Sequence, residues 1–288
     1  GSIANNFNAK LTERYGETKN RPSIQTLCID SDQSAIDELV SSEHKTFMGN
    51  QDVVSTPLKN SEFYRSQPSE SLSWINRRWI YNIPRSRQTE GIRPLGRLAF
   101  ADHFETICNS LRNKILEITA AENLATTSET FEANIGAETT PRVVVVGSIG
   151  GSIGGMLLDV GYLIRTLFSE EGLNTPDMTA ILTHSVNSRQ QNAELSTANA
   201  IATLAELRHY VDFGYPGDAA LGIPEFEEPP FDSVYFNELE NDLRQTELNQ
   251  RHSDIAEWII GSNAASTVPF FEGCRDASKD SNNFELRT

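Results

Sequence analysis

Val143-Val144-Val145-Val146-Gly147-Ser148-Ile149-Gly150-Gly151-Ser152-Ile153-Gly154-Gly155-Met156-Leu157-Leu158-Asp159-Val160 is the stretch whose reading decides the fold. Four consecutive β-branched residues predict a strand buried on both faces, as in parallel sheets. Five glycines, from Gly147 to Gly155, then make a turn. Beyond it Met156, Leu157, Val160, Leu163, Ile164, Leu167 and Phe168 recur at helical spacing, with Asp159 in the first turn. Strand, glycine loop and helix in that order aim free backbone N–H groups at a phosphate, helped by the helix dipole. The plainer alternative is a tight turn whose glycines only let strand and helix pack closely.

Spacing sorts the glycine motifs. The glycines never fall two apart, so the dinucleotide G-x-G-x-x-G fingerprint is absent. Gly150 and Gly155 have P-loop separation, but Met156 stands where the lysine is needed. Gly150-Gly151-Ser152-Ile153-Gly154 does match G-x-S-x-G, the nucleophile elbow, so a serine hydrolase with Ser152 as nucleophile is a rival reading. Its histidine would be His184, His209 or His252, and nothing local selects one.

The chain has 288 residues, a formal net charge of −16 and a pI of about 4.7. That length suits one large α/β domain or two small ones. The acidic balance argues against a nucleic-acid backbone or an anionic membrane as the main partner. Cys28, Cys108 and Cys274 are widely separated, without metal-ligand spacing and odd in number, so the default setting is reducing and cytoplasmic. No apolar run approaches the ~20 residues of a membrane span, and no signal peptide is visible. The chain starts at Gly1-Ser2 without methionine, which suggests a processed, tagged or partial protein.

In order along the chain, residues 3–15 predict a helix stopped by Gly16, and Ile24–Ile29 a strand ending at Asp30-Ser31-Asp32. Carboxylates at a strand's carboxyl end lie where α/β proteins bind ligands, although Asp32 can equally cap a helix starting near Ser34. Residues 41–90 read as polar and irregular, with a strand-like piece at Trp79–Ile83 and with Trp74 and Trp79 in packing roles. Gly91-Ile92-Arg93-Pro94-Leu95-Gly96-Arg97 opens a long helix from Leu98 to about Ala121. Its two arginines could neutralise a phosphate, but composition alone favours solvated side chains. Residues 122–140 read as a mobile connector. Met178–Thr183 predicts a strand, Ser196–Val211 a helix ending near Gly214, Phe213–Pro230 an excursion, and Phe231–Phe236 a strand finishing at Asn237-Glu238. A last helix runs from about Asp254 to Asn263, the tail at 266–283 is loop-like, and Phe284–Thr288 resembles a strand cut short. Alternating strands and helices mean a three-layer, doubly wound, mainly parallel sheet.

Taken together, these pieces resemble the GTPase domain of the tubulin/FtsZ superfamily, and more narrowly the bacterial tubulin-like proteins. Ile29-Asp30-Ser31-Asp32-Gln33-Ser34-Ala35 resembles that family's strand-end NTD-x-x-A segment. Gly91 to Ala99 resembles its glycine/proline loop beside the phosphates, and Gly147 to Met156 its GGGTGSG signature. Asn199 to Leu207, followed by Pro229 to Tyr235, resembles the next helix and strand.

The resemblance implies a Rossmann-like single domain over residues 1–288, part of a longer protein, binding GTP or GDP with Mg2+ carried by the nucleotide. It also implies guanine-nucleotide and self-association partners, with slow hydrolysis on assembly, or else a degenerate scaffold that keeps the fold. Gly150, Gly151, Ser152, Gly154 and Gly155 would wrap the phosphates, and Gly91, Arg93 and Gly96 would line the γ-phosphate side. Asp32 would lie at the strand-end site. Asn237, with Asn241 as alternative, would read guanine, and Asp254 would touch the base. No catalytic residue and no metal ligand is identified.

Three departures stand out. The signature here reads GGSIGG, with Ile153 in place of the threonine hydroxyl. The family's first, central strand has no counterpart before residues 3–15. Asp276 and Asp280 lack the N-x-D-x-x-[DE] pattern of the family's hydrolytic loop, and the family's second, activation-type domain is expected to have no counterpart within residues 1–288.

Overall fold

The structure is a computed structural model describing residues 1–41, 47–67, 72–133, 135–186 and 193–263, together with Phe270 and Gly273. The chain runs α1 (Ser2–Tyr15), β1 (Cys28–Asp30), α2 (Gln33–Val40), β2 (Val53–Ser55), α3 (Ser61–Ser66), α4 (Arg77–Tyr81) and α5 (Arg93–Asp102). It continues with α6 (Phe104–Thr119), α7 (Ala121–Phe131), β3 (Arg142–Ser148), α8 (Leu157–Glu170), β4 (Asp177–His184), α9 (Ala193–Phe213), β5 (Ser233–Glu238) and α10 (Gln245–Ser262). The tail, including Asp276, Asp280 and Phe284–Thr288, lies outside the described residues.

Among the described residues β1–β5 pair in parallel, as the alternation of strands and helices predicts. β3, β4 and β5 form one sheet in that order, and β1 pairs with β2 in another. The valine run explains the three layers. Val143 and Val145 point into the main core with α6, α8 and α9, whereas Val144 and Val146 point into a smaller core with α1 and α10. Period-2 alternation with both sets apolar is what a strand covered on both faces needs.

The valines nevertheless remain only partly buried, while β4 is almost wholly buried. The difference lies at the open edge of β3. A cavity of about 1730 Å³, lined by Leu27–Asp30 on one side and Arg142–Ser148 on the other, separates the two sheets.

α8 is buried all round from Leu157 to Phe168, because it lies under the sheet and is covered in turn by α6, α9 and the segment around Phe231. Gly161 lets Phe231 and Pro230 approach, since a Cβ there would meet each at 3.0 Å.

Several expectations are corrected. Trp79–Ile83 is not a strand: Asn76 accepts from Arg78 N, starts α4, and buries Ile80 in a satellite core with Leu58, Tyr64, Leu95 and Leu98. The supposed irregular region therefore has its own core, and Trp79 packs against it. The long helix after Gly91 begins at Arg93, with Pro94 in its first turn, and breaks at His103, whose Nε2 bonds Pro57 O at 2.8 Å. Residues 122–140 are not a loose connector, since α7 occupies 121–131 and ties itself to residues 15–23 through Thr127 and a Tyr15–Phe131 ring contact. β1 is shorter than Ile24–Ile29.

Phe168 is fully buried at the centre of the main core. Phe168→Ala is expected to cost ~3–5 kcal/mol, read as a lower midpoint in chemical or thermal unfolding.

Candidate functional site

The site begins where β3 ends. Ile149 N donates to Thr183 O, fixing the turn to the neighbouring strand, and Ser152–Gly155 then form a short 3₁₀ helix leading into α8. Among the described residues the N–H groups of Gly150, Gly151 and Ser152 donate to no backbone carbonyl in good geometry. They lie at or just ahead of the start of this short helix, where backbone donors lack an intrahelical acceptor.

The start of α5 lies against this loop at backbone distance. A Cβ on Gly96 would stand 2.1 Å from Ser152 O, and one on Gly155 would stand 2.0 Å from Arg93 O. Both positions therefore exclude any side chain. Gly151 is different: nothing lies within 4 Å of its would-be Cβ, so it faces open space.

α9 closes the back of the loop. Asn199 Nδ2 donates to Gly91 O at 2.7 Å and to Gly150 O at 3.0 Å, joining the two glycine segments through one buried amide. Thr203, fully buried, lies against Gly154, while Ser196 and the His184 ring lie against Gly150. Arg93 is not a solvated side chain. It donates to Gly154 O at 3.0 Å and pairs with Glu206. Arg97 is likewise engaged, bonding Asp159 at 3.2 Å and Asp218 at 2.7 Å while lying over the Trp74 ring.

Asp159, in the first turn of α8, is buried in this network. Burial pushes its carboxyl up to about 6, and Arg97 opposes the shift only in part.

The structure thus gathers Gly91, Arg93, Gly96, Gly150, Gly151, Ser152, Gly154 and Gly155 at one place. Asn237 stands at the same, carboxyl end of the sheet. The strand register runs Ser148, Thr183, Asn237 across β3, β4 and β5, about two strand spacings or ~10 Å in all. Its side chain is exposed and makes no hydrogen bond among the described residues. Asn241, the alternative, is spent on Val186 N at 2.9 Å.

Asp32 caps α2, accepting from Ser34 N and Ala35 N, as the capping reading expected. Its segment reaches the glycine loops only indirectly, through Ser31 and Thr89 at 3.3 Å just ahead of Gly91. Asp254 is not near a helix start. α10 opens nine residues earlier, at Gln245, with Glu247 accepting from Arg244 N, so Asp254 sits mid-helix and accepts from Gln250.

The elbow reading finds no support in geometry. Ser152 makes no hydrogen bond to His184, His209 or His252 among the described residues, and it has no positive φ. His209 lies on the outer face of α9 against Phe213, and His252 belongs to α10. Also among the described residues, no three His, Cys, Asp or Glu side chains cluster as metal ligands, and no helix is long and apolar enough to cross a membrane.

A family model described as tubulin like matches residues 1–286. The chain belongs to the tubulin-like family. No curated protein and no solved structure matches it. In this tubulin-like domain the sequence named the glycines as candidates but gave no role to Asn199, Thr203, Glu206 and Asp159, which pack around them. The clearest available signal was polar Asn199 and Thr203 four apart on one helix face, which α9 turns inward.

The raised carboxyl predicts a pH dependence. The folded state holds the Asp159 proton more tightly than the unfolded chain, so stability falls as pH rises from about 4 to about 6, by ~2–3 kcal/mol, and levels off above. Thermal unfolding of Asp159→Asn against the parent across that window checks this. The variant's relative stability is expected to rise with pH.

Proposed function

We propose that this tubulin-like domain binds a guanine nucleotide, GTP or GDP, with the phosphates on the Gly150–Gly155 loop. The observation that supports this most is the set of unspent N–H groups at Gly150, Gly151 and Ser152, open to solvent at Gly151 and rigidly backed by α5 and α9. A loop held this way needs no reorganisation to receive an anion. In this reading Gly91 and Gly96 flank the terminal phosphate, and Arg93 supplies positive charge behind the loop. Asn237 reads the base at the far end of the Ser148–Thr183–Asn237 row.

Magnesium would come with the phosphates. Ile153 offers no hydroxyl to a phosphate, so turnover is expected to be slow.

Fluorescent GTP and ATP titrated against the parent and Gly151→Asp, with and without magnesium, test the reading. Gly151 has room for a side chain, so the variant is expected to fold normally, yet its carboxylate faces the phosphates. The expected result is saturable GTP binding, weakened ~100-fold or more in Gly151→Asp with an unchanged melting temperature. Absence of binding by the parent would leave a tubulin-like scaffold without nucleotide.

A further inference from the structure

His184, which the hydrolase reading singled out and the geometry left without a role, is the last residue of β4 and is only 8% exposed. Backbone bonds pin it from both sides. Ile149 N donates to Thr183 O at 3.0 Å, tying the end of β4 to the glycine loop, and Leu239 N donates to His184 O at 2.8 Å. The ring lies against the loop: its Cδ2 stands 3.1 Å from the place a Gly150 Cβ would take, and the Ser196 hydroxyl closes on the same point from α9.

The ring nitrogen next to that carbon, Nε2, is buried and has no hydrogen-bond partner among the described residues. Buried polar atoms are ordinarily paired, because the water they lose on folding must be replaced. Arg93 Nε, beside Gly154, is also unpaired, but its guanidinium is otherwise engaged with Gly154 O and Glu206. The His184 imidazole has no such second anchor among the described residues.

The position says what kind of group would complete it. His184 stands at the carboxyl end of a parallel strand, where α/β sheets meet their ligands, and beside the free N–H groups of Gly150 and Gly151. With its proton on Nε2 the ring adds a side-chain donor to a set of backbone donors, which suits an oxyanion rather than a cation or an apolar group. The loop itself offers no such side chain at Ile153.

We infer that His184 Nε2–H donates to a phosphate oxygen of the ligand on the Gly150–Gly155 loop, so that a strand-end imidazole makes the polar contact that Ile153 cannot. The inference rests on the nucleotide reading above and adds to it a residue that selects for the phosphate.

Long-range 1H–15N NMR of the histidine-labelled full chain tests it, as GDP with magnesium and, separately, inorganic pyrophosphate are added. With both, His184 Nε2 is expected to become a stably protonated donor, its proton moving downfield and exchanging more slowly. In parallel titrations His184→Phe, which keeps a ring without a donor, should bind GDP about tenfold more weakly or worse, and His184→Gln, which keeps an N–H, should recover most of the loss. A parent that binds GDP while the His184 ring is unchanged overturns this inference and leaves the nucleotide reading standing. So does pyrophosphate that shifts the loop amides but not the ring, a His184→Phe variant that binds like the parent, or a His184→Gln variant that recovers nothing, which would make the ring a packing group. A parent that binds neither ligand overturns both readings. The ring spectrum of the parent decides the matter even where a variant fails to fold.

Discussion

The close backbone contact between α5 and the glycine loop is what the rest of the site depends on. Gly96 against Ser152 and Gly155 against Arg93 are two missing Cβ atoms on opposite partners. Together they let two chain segments about 60 residues apart meet at main-chain distance. A single methyl at either position would push the start of α5 outward. Asn199 would then lose the bridge between Gly91 and Gly150, and Arg93 its reach to Gly154. The loop's shape is thus set from behind, and its free N–H groups are what remains in front.

Polar groups are concentrated around that contact at some cost to stability. Asp159 is buried at the head of α8, where the helix dipole favours a carboxylate but desolvation disfavours it. Arg97 answers it and also Asp218, binding α5, α8 and the excursion after α9 into one charged knot. A core of the same volume could be built from leucines. Holding three elements in register around the glycine loop is a reason to keep the charges.

The sequence made the sheet legible because β-branched runs and helical periodicity are local. β3, α8, β4, α9 and β5 all lie where their patterns place them. What it could not show was set by contacts far along the chain. His103 turns a corner because its ring finds Pro57, Asn76 converts a strand-like aromatic run into a helix start, and α7 is held by residues 15–23. The glycines of the site were readable from composition and spacing. Asn199 and Thr203 were given no role, since on a helix with no strong apolar face their four-residue spacing alone does not say which side turns inward. Arg93 and Arg97 were read as solvated for the same reason, their acidic partners lying more than 60 residues away.

The most direct measurement is backbone amide NMR of Gly150, Gly151 and Ser152 as GDP and magnesium are added. If these N–H groups receive the phosphates, their resonances should move downfield together and their exchange with solvent should slow, while amides of α7 stay unchanged. If the three amides are unaffected at nucleotide concentrations that saturate any binding, the loop is not a phosphate cradle and the account of this site is wrong.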